Sequence, residues 1–458
     1  MQADRGIFVS VKTPVFDFVS EFINKDTTRF HMPGHKGNCD HLGVEIRDIT
    51  EIKGADYLFE ADGVIGESEA ICSSLFETAK TLYSTEGSSL SIKTMVALCV
   101  MNRKDKSKKG TIVAPRNCHK AFVNGCVLAD ADVEWVYPVE KSYSITQSLF
   151  TAEDIRQGLL KAQNPCGVYI TSPDYLGNIA DISKIKEVCE EFSVPLLVDN
   201  AHGAYLKFLE TDSHPITLGA DMCCDSAHKT LPVLTGGGYL HISKTADSFF
   251  VKNAKTVMSM YASTSPSFLT LQSLDLCNKT LSGDFKANLS ETIKKTSQLC
   301  EDINGFMVEA HTFEPLKISV FPNNVGYTGN ELADFLRENN IEPEYSDENA
   351  VVLMLSPYNK DEDFRRCKEA FSKLLHKRIF VRCEEISLSP LKKAMSLREG
   401  AFSDSETVEV SQSEGRICAL TVTSCQPSIP VVVSGEVIDE NIIKILKRYS
   451  IFEVNVVK

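Results

Sequence analysis

The stretch Ile182–Gly203, ISKIKEVCEEFSVPLLVDNAHG, holds a complete helix-to-strand step. Ile182, Ile185, Val188 and Phe192 recur at the spacing of one helix face, and Pro195–Val198 is a short apolar run of strand type. Asp199 ends that run, and Asn200, Ala201, His202 and Gly203 follow it. The same rhythm extends in both directions, from Glu67 to Ser243. Thr111–Ala114, Val133–Val136, Val168–Thr171, Met222–Cys224 and Tyr239–Ile242 read as strands, Ala152–Ala162 as a helix, and Gly, Pro, Asn and Asp punctuate the joins. Such alternation predicts an α/β fold with a largely parallel sheet covered by helices. After Ser282 the pattern changes to a polar helix Leu289–Asp302, a strand Leu316–Val320, a helix Glu331–Glu338 and a strand Val351–Leu355. The expected division is an N-terminal segment with a major domain over 1–280, a small α/β domain over 281–376 and a C-terminal domain over 377–458.

The chain has 458 residues and a formal charge of -14, a field that repels nucleic-acid backbones and anionic lipid surfaces. The one dense basic run, Arg103, Lys104, Lys106, Lys108 and Lys109, reads as a solvated loop before a strand. No apolar run approaches the roughly 18 residues that a membrane span needs. The 15 cysteines are odd in number and form no C-x-x-C, which reads as reduced thiols in a cytoplasmic protein. No metal is expected. His31 and His35 have the spacing of a helical zinc pair, but Pro33 and Gly34 between them break a helix. Thr235–Gly238 lacks the spacing of a phosphate loop and reads as a tight turn.

In open α/β sheets ligands gather at the carboxyl ends of strands, so polar residues there are the first suspects. Asp199 is one; a turn aspartate is its plain structural explanation. Lys229, in Asp225-Ser226-Ala227-His228-Lys229-Thr230, suits a buried nucleophilic amine. Thr85-Glu86-Gly87-Ser88-Ser89 precedes a helical run, where hydroxyls and free amides cap the helix or bind phosphate. His119 follows the strand Thr111–Ala114 and is otherwise a structural histidine. An amine, a carboxylate, a ring-stacking partner and a phosphate cradle are the parts that a pyridoxal phosphate enzyme needs.

At this point a resemblance becomes specific. Phe30-His31-Met32-Pro33-Gly34-His35-Lys36-Gly37 resembles the N-terminal signature of the pyridoxal-phosphate-dependent ornithine/lysine/arginine decarboxylases, of the aspartate-aminotransferase-like fold type I. Asp199–Gly203, Ser226–Pro232, Thr171-Ser172-Pro173, Ser263–Ser267, Gly326–Gly329 with Glu331–Asp334, and Ala394–Ser396 with Arg398-Glu399 are similar to further motifs of that family. The matches run from about residue 30 to about residue 436 and look like the short bacterial form without an N-terminal wing. Departures are Glu86 where Asn is frequent, Asn200 where Glu is common, and Gln426–Pro430, a degraded proline-rich motif.

The resemblance implies pyridoxal 5'-phosphate as cofactor, with Lys229 as the Schiff-base lysine and Asp199 on the pyridine nitrogen. His119 would stack on the ring and Ala201 pack its other face, with His202 also among the cofactor-binding positions. Gly87, Ser88, Ser89, Ser226 and His228 would hold the phosphate, and Glu344 would meet the charged end of a basic substrate. The implied reaction is decarboxylation of arginine, lysine or ornithine in polyamine biosynthesis, by a homodimer or larger assembly whose sites are shared between subunits. A lyase, aldolase or aminotransferase on the same cofactor is the alternative chemistry. A non-catalytic regulatory relative is the alternative class, and it would be expected to lack Lys229 or Asp199.

Overall fold

The computed structural model of the chain describes residues 11–39, 41–137, 144–146, 149–377, 386, 388–424 and 428–458. Its strands, in chain order, are β1 (Lys80–Ser84), β2 (Thr111–Pro115), β3 (Asp132–Val136), β4 (Pro165–Thr171), β5 (Leu196–Asp199), β6 (Met222–Asp225), β7 (Gly238–Ile242), β8 (Glu309–His311), β9 (Lys317–Phe321), β10 (Tyr345–Ser346) and β11 (Val351–Met354), followed by short strands near the C-terminus. The chain divides into two compact units, 1–94 with 203–290 and 95–202 with 291–458.

In the first unit β1 and β6 both pair antiparallel with β7, Lys80 facing Ile242 and Met222 facing that same residue. The helices Val64–Phe76 and Phe268–Leu281 bring buried polar faces together. Ser68 donates to Asp275 at 2.6 Å, and Lys255 donates to both carboxylate oxygens of Glu69 at 2.7 Å. Ser267 caps the second of these helices by accepting from the Thr270 amide. A hydroxyl at that position satisfies one of the amides that a helix start leaves unbonded.

In the second unit β5, β4, β2 and β3 form a parallel sheet in that order, with Thr171 beside Asp199 and Ala114 beside Trp135. The buried runs of β2 and β4 fit a sheet covered on both faces by helices, and the helix Ile182–Glu191 buries Ile182, Ile185 and Val188 as its spacing predicts. A second core, with Ile303, Ile318, Val320, Leu332, Leu336 and Phe371, gathers the helices around β8–β11. A third gathers Val431, Ile438, Ile442, Leu446 and Val456. Two of the motifs behind the family resemblance are capping boxes: Thr328 with Glu331, and Ser396 with Glu399. The basic run is a loop whose Arg103 guanidinium is bonded to the carbonyls of Val100, Lys106 and Lys108. Residues 31–37 are turns, so His31 and His35 do not share a helix face. Of Gln426–Pro430, positions 426–427 lie outside the described residues.

The buried Arg116 guanidinium meets Glu436 at 2.7 Å and lies over the Trp135 ring, 4.7 Å from its centroid. The same Glu436 oxygen accepts from the Val433 amide at 2.9 Å, and the Lys120 amide donates to the Ser428 carbonyl at 3.0 Å. The C-terminal segment therefore clamps both ends of the loop that carries His119. Removing one partner of such a pair leaves a buried charge without compensation, so Arg116→Met is expected to lose about 3–5 kcal/mol in denaturant unfolding. Replacing Glu436 by Leu as well should restore part of the loss. A single-variant loss below about 1 kcal/mol would show that the pair holds nothing.

Candidate active site

In the first unit the sequence-predicted phosphate residues come together at the start of the 16-residue helix Gly87–Asn102. Ser226 donates to the Ser88 hydroxyl at 2.9 Å. Gly87 has φ +64, a left-handed conformation that a side chain disfavours, and its amide donates to the Gly236 carbonyl at 2.7 Å. The turn Thr235–Gly238 thus belongs to the site's framework, which the sequence reading did not foresee. A Cβ at Gly238 would stand 2.9 Å from the Asp225 carbonyl and 3.0 Å from the Gly87 backbone. His228 is held by its Nδ1, 2.8 Å from the Gly237 carbonyl oxygen. Glu86, one of the departures from the family pattern, accepts from the Ser263 amide at 2.8 Å and so ties the Ser263–Ser267 segment to this loop. Ser89 lies in the same first turn, half-buried.

Lys229 stands in the one-turn helix Ala227–Thr230, whose Ala227 and Thr230 point inward. Its own side chain is exposed, where the sequence reading expected a buried amine. The inner face of so short a helix is filled by its two small residues, and the lysine between them turns outward.

Beneath this loop a buried network anchors the end of β6. Asp225 Oδ2 lies 3.1 Å from His214 Nε2 and 3.2 Å from His241 Nε2. His214 Nδ1 accepts from the Ile216 amide, so its proton sits on Nε2, facing Asp225. His241 Nδ1 pairs with the Thr81 hydroxyl at 2.9 Å, and Phe76 stacks on its ring at 4.4 Å. With Cys223 Sγ 3.6 Å from the other carboxylate oxygen, the cluster has the residue types of a metal site. A metal on His214 Nε2 would move the proton to Nδ1, against the Ile216 N–H, so the group reads as a hydrogen-bond network. Burial acts to raise the Asp225 carboxyl, but the two imidazoles outweigh it and hold the group well below the usual carboxylate range.

Burial holds His241 below its ordinary value, against the pull of Asp225. An unfolded histidine takes its proton near pH 6.5, so the contribution of His241 is complete above that value and is lost as pH falls through it toward the folded value. The slope is at most about 1.4 kcal/mol per pH unit. Thermal melts between pH 8 and 5 should therefore fall more gently for His241→Gln than for the wild type, and parallel slopes would refute the neutral, buried His241.

In the second unit Asp199 is buried at the end of β5, accepting from the Tyr169 hydroxyl at 2.8 Å and from the Ala201 amide at 3.1 Å. Tyr169 is itself stacked on Phe122 at 4.1 Å, so the carboxylate has one orientation. The Ser172 amide donates to the Asp199 carbonyl at 3.0 Å, which gives the Thr171–Pro173 motif a structural role. His119 caps the helix Lys120–Ala129, its Nδ1 accepting from the Ala121 amide at 3.1 Å. Ala201 and His202 are buried beside Asp199. Glu344 is exposed and accepts from the Tyr175 hydroxyl at 2.7 Å, on the rim of a cavity of about 290 Å³ lined by Ile341, Leu353 and Phe364.

These residues fit pyridoxal phosphate. In the first unit the paired hydroxyls at a helix start suit a phosphate, and in the second a carboxylate buried and fixed by two donors suits a protonated ring nitrogen.

Residues 13–321 match the family described as Orn/Lys/Arg decarboxylase, major domain. Arginine decarboxylase of Bacillus subtilis (strain 168) is 28% identical over 95% of this chain and 94% of its own length. Arginine decarboxylase of Halalkalibacterium halodurans is 28% identical over 94% of this chain and 92% of its own. The crystal structure of the Francisella novicida lysine decarboxylase LdcF superposes with a TM-score of 0.81, covering 98% of this chain and 82% of that one at 15% identity. The fold is thus that of the fold type I pyridoxal phosphate enzymes. The chain belongs to the Orn/Lys/Arg decarboxylase family, and it is a pyridoxal-phosphate-dependent decarboxylase.

Proposed function

We propose that this chain decarboxylates arginine to its amine and carbon dioxide, as a step in polyamine formation. The observation that carries this reading is the alignment of two arginine decarboxylases across more than nine-tenths of both chains. Bound pyridoxal phosphate would supply the electron sink for the bond broken as carbon dioxide leaves. Lys229 would hold the cofactor through its ε-amine. Asp199 keeps a proton on the ring nitrogen, because a carboxylate beside it favours the cationic ring. His119, with its orientation set by the Ala121 amide, and Ala201 would hold the ring between them. Ser88, Ser89, Ser226 and His228 bind the phosphate, with Gly87 allowing close backbone approach. Glu344 meets the substrate's cationic end. Lys229 or a histidine would supply the proton that the product carbon needs once carbon dioxide has left. Incubation with arginine, lysine and ornithine in turn, with carbon dioxide and amine both measured, tests the reading. Arginine should be turned over fastest; a faster reaction with lysine or ornithine overturns the substrate, and keto-acid formation overturns the reaction type.

The working unit in this reading is a cytoplasmic dimer or larger assembly. No described helix is long and apolar enough to cross a membrane. Phe30 is 95% exposed and Leu42 81%, with Met32, Val44 and Ile46 also open, an apolar concentration that favours a covering partner. If the Thr264 and Ser265 hydroxyls reach the neighbouring subunit's phosphate, mixing Lys229→Ala chains with Thr264→Ala/Ser265→Ala chains recovers about a quarter of wild-type activity, since half the dimers are hybrids with one intact site each. No recovery after verified subunit exchange would assign Thr264 and Ser265 to their own chain's site.

A further inference from the structure

We propose that Lys317 is a positioning residue that fixes the tautomer of His202, leaving the imidazole Nε2–H as a permanent donor toward the bound cofactor or substrate. Lys317 begins β9, where Ile318 and Val320 enter the core and Lys317 and Ser319 face the other way. Both polar residues are nevertheless fully buried, because they grip the loop that follows β4. Ser319 donates to the Leu176 carbonyl at 2.7 Å, and Lys317 Nζ donates to the Asp174 carbonyl at 3.2 Å. Gly177, with φ +101, permits this approach: a Cβ there would stand 3.0 Å from Glu314 Cγ.

The contact that matters lies 3.2 Å away, where Lys317 Nζ meets His202 Nδ1. An ammonium offers hydrogens and accepts none, so the imidazole nitrogen facing it must be the acceptor. Its proton then resides on Nε2. A simple ion pair explains less, since the Glu314 carboxylate stands at 3.6 Å, farther than either the carbonyl or the imidazole. The ring is also held sideways: Tyr175 meets it edge-on with centroids 4.8 Å apart and an interplanar angle of 64°, and Tyr175 is bonded to Glu344. The charged and titratable groups packed around the pair are thus Glu314, Asp174, Tyr175 and Glu344. Burial raises the Asp174 carboxyl to about 6 and also raises Glu314, while burial lowers Lys317. A cation beside Nδ1 opposes a second positive charge on the imidazole.

That His202 donates toward the cofactor rests on the function proposed above; its tautomer does not. The experiment is nitrogen NMR of the holoenzyme labelled with ¹⁵N-histidine, with His202 assigned by the signals lost in His202→Gln. The expected wild-type result is an unprotonated Nδ1 and a protonated Nε2, unchanged between pH 8 and 5.5. In Lys317→Met, His202 should lose the single tautomer. In Lys317→Gln, whose amide can still donate to Nδ1, the single tautomer should persist at pH 8. With the favoured substrate, Lys317→Met should lower kcat about tenfold or more with a smaller change in KM, the direction expected of a misplaced imidazole proton. A proton on Nδ1 in the wild type, or an unaltered His202 signal in Lys317→Met, would overturn the proposal. If Lys317→Met does not fold, the wild-type spectrum and Lys317→Gln still decide. Absent decarboxylation with the expected His202 spectrum would instead count against the proposed function.

Discussion

Lys229→Ala is expected to leave a folded, colourless protein whose turnover is lower by about 10⁴-fold or more, the scale at which removing a covalent nucleophile acts. The two effects should appear together, because one amine serves both. The fold should survive, since the side chain is exposed while Ala227 and Thr230 carry the inward contacts of that turn. Alanine also suits a helical turn. Stability within about 0.5 kcal/mol of wild type is therefore expected, the ordinary range for a surface substitution. Three measurements check this: the visible absorbance of the purified protein, a denaturant melt, and carbon dioxide release. Normal turnover by the variant would show that another group carries the cofactor.

Which parts of this molecule could be read without coordinates follows from what strands and helices write into a sequence. Asp199 and the Ser226–Lys229 run stand out because apolar strands deliver them to strand ends, so polar residues interrupt an otherwise legible period. β1 has no such signal. Its sequence, KTLYS, buries Thr81 and Tyr83, whose hydroxyls are satisfied by His241 and by Ser68 and Asn278. The direction of β7 is equally silent, since alternation is the same in parallel and antiparallel strands. The partnerships of Asp225 with His214 and His241, and of Arg116 with Glu436, join residues whose separation in sequence carries no motif. Lys317 reads as an ordinary lysine at a strand start, and only the fold of the loop after β4 onto β9 reveals it as buried. The exposure of Lys229 went unread for the opposite reason: its flanking residues have the composition of a buried turn, and a helix of one turn has only one inner face.

Asp199→Asn is expected to lower kcat by about 10²–10³-fold while cofactor affinity falls much less, the scale seen when one preorganised electrostatic contact to a transition state is removed. The substitution is nearly isosteric, and the donors that fix the carboxylate constrain the outcome. Tyr169 and the Ala201 amide each donate to one oxygen, so Asn can satisfy one of them through its carbonyl and must turn its amide hydrogens toward the other. The position formerly presented to the ring nitrogen by a negative oxygen then lacks the charge that would keep a proton there. Phosphate contacts through Ser88, Ser226 and His228 are unaffected, and these together with Lys229 supply most of the cofactor's binding in the proposed site. The loss should therefore fall on the chemical step, because negative charge develops at the substrate carbon only as carbon dioxide departs and gains more from a protonated ring than the ground state does. A second variant, Tyr169→Phe, removes one donor and leaves the carboxylate, so its loss should be about tenfold, near the 1.4 kcal/mol that a single hydrogen bond to a charged group represents. Cofactor titration and single-turnover rates on the same preparations separate binding from chemistry. Near-normal kcat in Asp199→Asn, or an affinity loss as large as the loss in rate, would remove Asp199 from the role of holding the ring proton.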